Sequence, residues 1–106
     1  MRCFEVIRET SYCYIITEYC NQGDLSDFLK KKKRLSESET LSFLKDIVSG
    51  FVDIGSKGFL HRDLKLANIL IHDGKAKIAD FGFAKKFKYS SEKERYNVGS
   101  PLYMSP

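Results

Sequence analysis

The stretch from Ser36 to Gly58 constrains the fold most, because it specifies one long helix together with both of its ends. Ser36, with Glu39 three residues on, forms a capping box, in which each residue takes a backbone N–H that the first helical turn leaves without a partner. Behind it Leu41, Phe43, Leu44, Ile47, Val48, Phe51, Val52 and Ile54 make a broad apolar stripe at helical spacing, running to about Ser56. Gly58, after Lys57, is the stop signal.

The flanking segments follow a different period. Cys3 to Arg8 alternates as a strand does, and Glu9-Thr10-Ser11 reads as a turn. Tyr12 to Tyr19 is rich in aromatic and β-branched residues, so a hairpin is expected. Asn21-Gln22-Gly23-Asp24 breaks it. Asp24 then caps a short predicted helix from Leu25 to about Lys32, with Leu25, Phe28 and Leu29 on one face. Beyond Gly58, the strand candidates are Phe59-Leu60, Ile69-Leu70-Ile71 and Ala76 to Ala79. His72-Asp73-Gly74 supplies a tight turn between the last two. Lys85 to Asn97 is polar, charged and aperiodic, and reads as a mobile loop. There is no internal repeat.

A chain of 106 residues is one domain or part of one. Its 42% hydrophobic and 30% charged residues exclude a disordered tail. A net charge of +4 is too mild to select nucleic acid. The run Lys30 to Lys33 with Arg34 lies where a helix C-terminus favours cations, so a solvated surface is expected there, with no nucleic acid or membrane partner. Cys3, Cys13 and Cys20 are odd in number and lack CxxC spacing, which suits a reduced compartment. With no apolar run of membrane-spanning length and no signal peptide, a cytoplasmic protein without a transmembrane segment is the expectation.

The chemistry is concentrated in His61-Arg62-Asp63-Leu64-Lys65-Leu66-Ala67-Asn68 and Asp80-Phe81-Gly82. These match H-R-D-L-x-x-x-N and D-F-G, so the chain resembles the eukaryotic protein kinase superfamily. Eight fixed positions give a chance match on the order of 10⁻¹⁰ per placement. The resemblance implies an α+β fold: the strands and hinge of a small lobe over residues 1–20, and the catalytic and activation segments of a helical large lobe over residues 21–106. It also implies ATP-dependent phosphorylation of protein serine or threonine with Mg²⁺. Transferring a phosphoryl group spreads negative charge, so positioning and electrostatics carry the catalysis. By resemblance, Asp63 orients the substrate hydroxyl and accepts its proton. Lys65 neutralises the moving phosphate, and lysine at that place is the serine/threonine pattern. Asn68 and Asp80 are hard oxygen donors for Mg²⁺.

Tyr14 to Cys20 resembles the fifth strand and hinge of a kinase. Thr17 is then the gatekeeper, the backbones of Glu18 and Cys20 contact adenine, Asp24 contacts ribose, and Leu70 lies beneath the base. His61 and Phe81 are expected in the apolar column that links the lobes, and His72 is a turn residue. Arg62 suits a phosphate on the activation loop, at Ser90, Ser91 or Tyr96. Ser100, in Gly99 to Pro106, is expected to bond near Asp63 and Lys65. Three segments (Glu18 to Leu25, Asp80 to Lys85 and Gly99 to Met104) resemble the ULK/ATG-type autophagy-initiating kinases. Leu66 departs from the family's usual proline, and Tyr96 stands where that group has a threonine.

The sequence contains no Gly-rich phosphate loop, no strand lysine of the V-A-I-K type and no glutamate to pair with it. These 106 residues alone are therefore expected to be inactive. The rival expectation is a non-catalytic, truncated kinase-like binding module or decoy. A nucleic-acid-binding module ranks behind both.

Overall fold

A computed structural model describes residues 1–87 and 98–104 of the chain. Strands β1 (Cys3–Arg8) and β2 (Cys13–Thr17) pair antiparallel, from Arg8 opposite Cys13 to Cys3 opposite Thr17, with a bulge between Cys3 and Glu5. The Glu9 N–H donates to the Tyr12 carbonyl at 2.8 Å and closes the turn. Both faces of this hairpin are largely exposed.

Helix α1 (Leu25–Lys32) begins where Asp24 Oδ1 accepts the Asp27 N–H at 2.9 Å. Helix α2 (Glu37–Ser56) begins at the expected capping box. There Ser36 Oγ accepts the Glu39 N–H at 3.2 Å, and Glu39 Oε2 accepts the Ser36 N–H at 3.0 Å. Lys32 pairs with Glu39 and Lys30 with Asp27, so two members of the basic run are occupied locally.

Strands β4 (Ile69–His72) and β5 (Lys75–Ile78) form the second hairpin, with Ile69 opposite Ile78 and His72 opposite Lys75. Asp73 and Gly74 turn it, both at positive φ (48° and 72°), a backbone that glycine and aspartate tolerate better than most residues. This hairpin is buried. Ile71, fully enclosed, joins Leu25, Phe43, Ile69 and Ala76 in the core, with Phe28, Leu29, Leu35, Ile47 and Leu66 packed around them. Phe28 meets Phe43 edge to face at 5.9 Å. Asp46 of α2 accepts the Ala76 N–H at 3.0 Å, which fastens the helix to β5. On the other edge, Ile71 exchanges backbone bonds with Gln22 and Gly23 (3.0 and 2.8 Å).

Two expectations change. The stripe of α2 is helical, but only part of it is covered: Phe43 is buried, whereas Leu41, Leu44, Val48 and Val52 are exposed. Lys85 and Lys86, read as loop, form a strand, β6, paired with β3 (Phe59–Leu60). A ladder needs only backbone groups, so two lysines with no apolar periodicity serve as well as any pair. Residues 88–97 of the predicted loop, with Ser90, Ser91 and Tyr96, lie outside the described residues.

Candidate active site

The segment 61–68 joins β3 to β4 and ends in a single 3₁₀ turn, Leu66–Asn68. His61 fixes its start. The His61 Nδ1 accepts the Asp63 N–H at 3.3 Å, so Nε2 carries the proton and donates to the Ala79 carbonyl at 2.9 Å. The ring lies between Phe51 at 6.5 Å and Phe81 at 5.0 Å, both edge to face. Arg62 adopts φ 68° and donates from Nε to the Phe83 carbonyl at 2.7 Å.

Asp63 is buried, at 4% exposure, yet every oxygen of its carboxylate has a donor. Oδ2 accepts from Lys65 Nζ at 2.9 Å and from Asn68 Nδ2 at 3.0 Å, while Oδ1 accepts from Ser100 Oγ at 2.8 Å. Lys65 Nζ also donates to Ser100 Oγ at 2.9 Å, closing a triangle of carboxylate, ammonium and hydroxyl. Lys65 above all, then the Ser100 hydroxyl, outweigh the cost of burial and hold the Asp63 carboxyl down at about 2. The structure thus brings Asp63, Lys65, Asn68 and Ser100 into contact.

Asn68 and Asp80 stand at the two open ends of the β4–β5 hairpin. The Ala79 N–H donates to the Asn68 carbonyl at 2.9 Å, so Asn68 and the residue before Asp80 continue the ladder. Asp80 is exposed, at φ 60°, and its Oδ1 accepts the Gly82 N–H at 3.2 Å. Asn68 spends its Nδ2 on Asp63, which leaves its amide oxygen as the donor for a cation. Among the described residues no three metal-ligating side chains of the His, Cys, Asp and Glu type cluster. A site with two protein oxygens fits an ion such as Mg²⁺, which keeps waters and takes its other ligands from phosphates.

On the proposed nucleotide side, Thr17 ends β2, and Glu18 and Cys20 follow it, all three half-buried. The Glu18 N–H is committed to the Arg2 carbonyl at 3.0 Å, so its own carbonyl is the backbone group left to face a base. Asp24 spends Oδ1 on its helix cap, which leaves the second oxygen for a sugar hydroxyl. Leu70 is half-buried and bridges Asp24. A shallow cavity of about 450 Å³ opens beside Asp63 between Phe51, Val98, Ser100 and Tyr103. A larger one, about 850 Å³, lies between Glu18, Ile54, Phe59, Lys77 and Phe81. It does not include Asp63 or Lys65, so size does not mark the chemistry here.

Two residues that the sequence left unremarked shape this region. A Cβ on Gly99, which sits at φ 106°, would lie 2.4 Å from the Arg62 carbonyl oxygen. Glycine is what lets the Ser100 segment approach Asp63. Lys77 of β5 pairs with Glu18. The alternation Lys75-Ala76-Lys77-Ile78 signals a charged face on β5, but the acid that meets it is 59 residues away in sequence.

The family model described as protein kinase domain matches residues 1–106. The chain is 41% identical over 105 residues to serine/threonine-protein kinase PLK4 of Xenopus tropicalis, covering 97% of the chain and 11% of that protein. It is 42% identical over 107 residues to maternal embryonic leucine zipper kinase of Danio rerio, covering 99% of the chain and 16% of the relative. It is 37% identical over 113 residues to serine/threonine-protein kinase atg1 of Dictyostelium discoideum, covering 100% and 17%. The chain therefore spans well under a fifth of the length of these relatives.

Proposed function

The chain belongs to the protein kinase family, and we propose that it carries the hinge, catalytic loop and metal-binding loop of an enzyme that moves the γ-phosphoryl of ATP to serine or threonine in proteins. The observation that carries this reading is the triangle of Asp63, Lys65 and Ser100. A serine hydroxyl already fits there, donating to the carboxylate while it accepts from the ammonium. A substrate hydroxyl held the same way has its proton directed at Asp63 and its oxygen free to attack.

A carboxylate held at about 2 is a weak base. Asp63 therefore acts first by orienting the hydroxyl, and takes the proton once bonding to phosphorus has made that hydroxyl acidic. Lys65 offsets charge that builds on the transferring group. Asn68 and Asp80 would hold Mg²⁺, which supplies charge neutralisation at the phosphates when bound. Thr17, Glu18, Cys20, Asp24 and Leu70 are assigned to the nucleotide. Arg62 is assigned to a phosphate on Ser90, Ser91 or Tyr96 in the activation segment. The intact placement of Asp63, Asn68 and Asp80 gives no support to a decoy. A cytoplasmic setting suits ATP as substrate and the three free cysteines. The atg1 match is no higher than the other two, so the substrate class stays protein serine/threonine, with the autophagy-initiating group as one lead.

The test is Mg²⁺-dependent transfer of labelled phosphate from ATP to a serine/threonine peptide library, by the protein expressed from its complete reading frame. Asp63→Asn should lower kcat by about a thousandfold. A wild-type protein without transfer, or an Asp63→Asn variant as active as wild type, overturns the reading.

A further inference from the structure

Glu18 follows the last residue of β2, yet its carboxylate turns to β5 rather than to solvent. There it forms an ion pair with Lys77, and its second oxygen accepts the Arg2 N–H at 2.5 Å. The two paired side chains are only 20% and 27% exposed, so their attraction is screened less than that of a surface pair. Lys77 and the Arg2 N–H keep the Glu18 carboxyl below its usual range, so it is ionised at neutral pH.

The position of the pair gives it significance. Lys77 stands opposite Leu70 in the β4–β5 register and three residues before Asp80. The far end of the segment 18–24 is fastened to β4 by the backbone bonds of Gln22 and Gly23 to Ile71 and by the Asp24–Leu70 bridge. Its near end is fastened to β5 by the Glu18–Lys77 pair. The segment assigned to the adenine ring is thus clamped at both ends onto the hairpin that delivers Asp80.

We infer that Glu18 and Lys77 are positioning residues for the nucleotide: their ion pair fixes the backbone of residues 18–20 relative to Asp80 without either side chain touching the ligand. This inference rests on the kinase reading above. One ATP molecule must satisfy the base-binding backbone and the metal-binding carboxylate together, so the distance between them sets how much of each contact is realised. Loosening the clamp removes binding that ground state and transition state share, and so raises KM for ATP while leaving kcat.

The experiment uses the protein from its complete reading frame, with Glu18→Gln, Lys77→Met, Lys77→Arg and the exchanged pair Glu18→Lys with Lys77→Glu. KM for ATP, kcat and the thermal midpoint are measured for each. Glu18→Gln and Lys77→Met should raise KM for ATP about fivefold or more, a typical coupling, with kcat within about twofold. Lys77→Arg should stay near wild type, and the exchanged pair should recover most of the loss. Folded variants with unchanged or lower KM overturn the inference. So does a fall in kcat that tracks the thermal midpoint and is not rescued by Lys77→Arg. If wild type is active and its variants match it, only the clamp falls; if wild type neither binds nor turns over ATP, the kinase reading falls with it.

Discussion

The molecule contains two antiparallel hairpins of similar sequence character and opposite fate. β1–β2 and β4–β5 are both rich in branched apolar residues and both turn tightly, yet Ile15 of the first is 64% exposed and Ile71 of the second is fully enclosed. The strands themselves do not explain this. β4–β5 has α2 on one face, fastened through Asp46 and Ala76, and residues 22–23 along one edge. β1–β2 has no such cover among the described residues. Pairing is thus a local property, while burial is conferred by neighbours. The candidate site lies beside the covered hairpin, with Asn68 leading into it and Asp80 leaving it.

The largest effect expected from this difference is in stability. Ile71→Ala should cost about 2–5 kcal/mol, the range for emptying an enclosed core site. Ile15→Ala should change stability by no more than about 0.5 kcal/mol, as a surface substitution does. Urea unfolding of the two variants of this chain decides it, and equal losses would break the contrast between the hairpins. A second, smaller effect isolates the active site from the hairpin that carries it. Gly99→Ala brings a Cβ against the Arg62 carbonyl oxygen and pushes the Ser100 segment away from Asp63. In the complete protein kcat/KM should fall about a hundredfold with the unfolding midpoint little changed. A drop in stability as large as that of Ile71→Ala would instead make the 98–104 segment part of the core.

The elements that could be read directly are those whose signals are local. The caps at Asp24 and Ser36 and the Asp73-Gly74 turn depend on side chains within three residues of one another, and all three form where the sequence places them. So does the α+β character of the fold, through the motif 61–68 and Asp80-Phe81-Gly82. What was not legible depends on contacts distant in sequence. Strand β6 exists because Phe59 and Leu60 offer backbone groups to Lys86 and Lys85, 27 and 25 positions later, and lysines advertise no such pairing. The requirement at Gly99 comes from a carbonyl in another loop, and the demand on Lys77 from an acid at the end of β2. The α2 stripe shows the same limit: its period is legible, but which part of it is covered is decided by the elements that pack on it.

The smallest effect concerns acid, and it separates the covered region from the surface once more. The folded-state value of Asp63 is about 2, below the ~3.9 of an unfolded aspartate. The native form therefore binds this proton less readily than the unfolded chain does. The stabilisation is complete above about pH 4 and is lost as pH falls through about 2. Glu39, in the capping box of α2, is likewise lowered to about 2, by Lys32 first and Ser36 next. Their surroundings differ: the side chains of the Asp63–Lys65 pair are 2% and 28% exposed, and those of Glu39–Lys32 are 37% and 41%. Between about pH 4 and pH 2, Asp63→Asn and Glu39→Gln should each flatten the fall in stability. Raising the salt concentration should shrink the Glu39 contribution, because exposed pairs are screened, and leave more of the Asp63 contribution. Equal salt sensitivity of the two acid limbs would mean that Asp63 is as open to solvent as a helix cap. It would then share none of the shelter that the β4–β5 hairpin gives its neighbours.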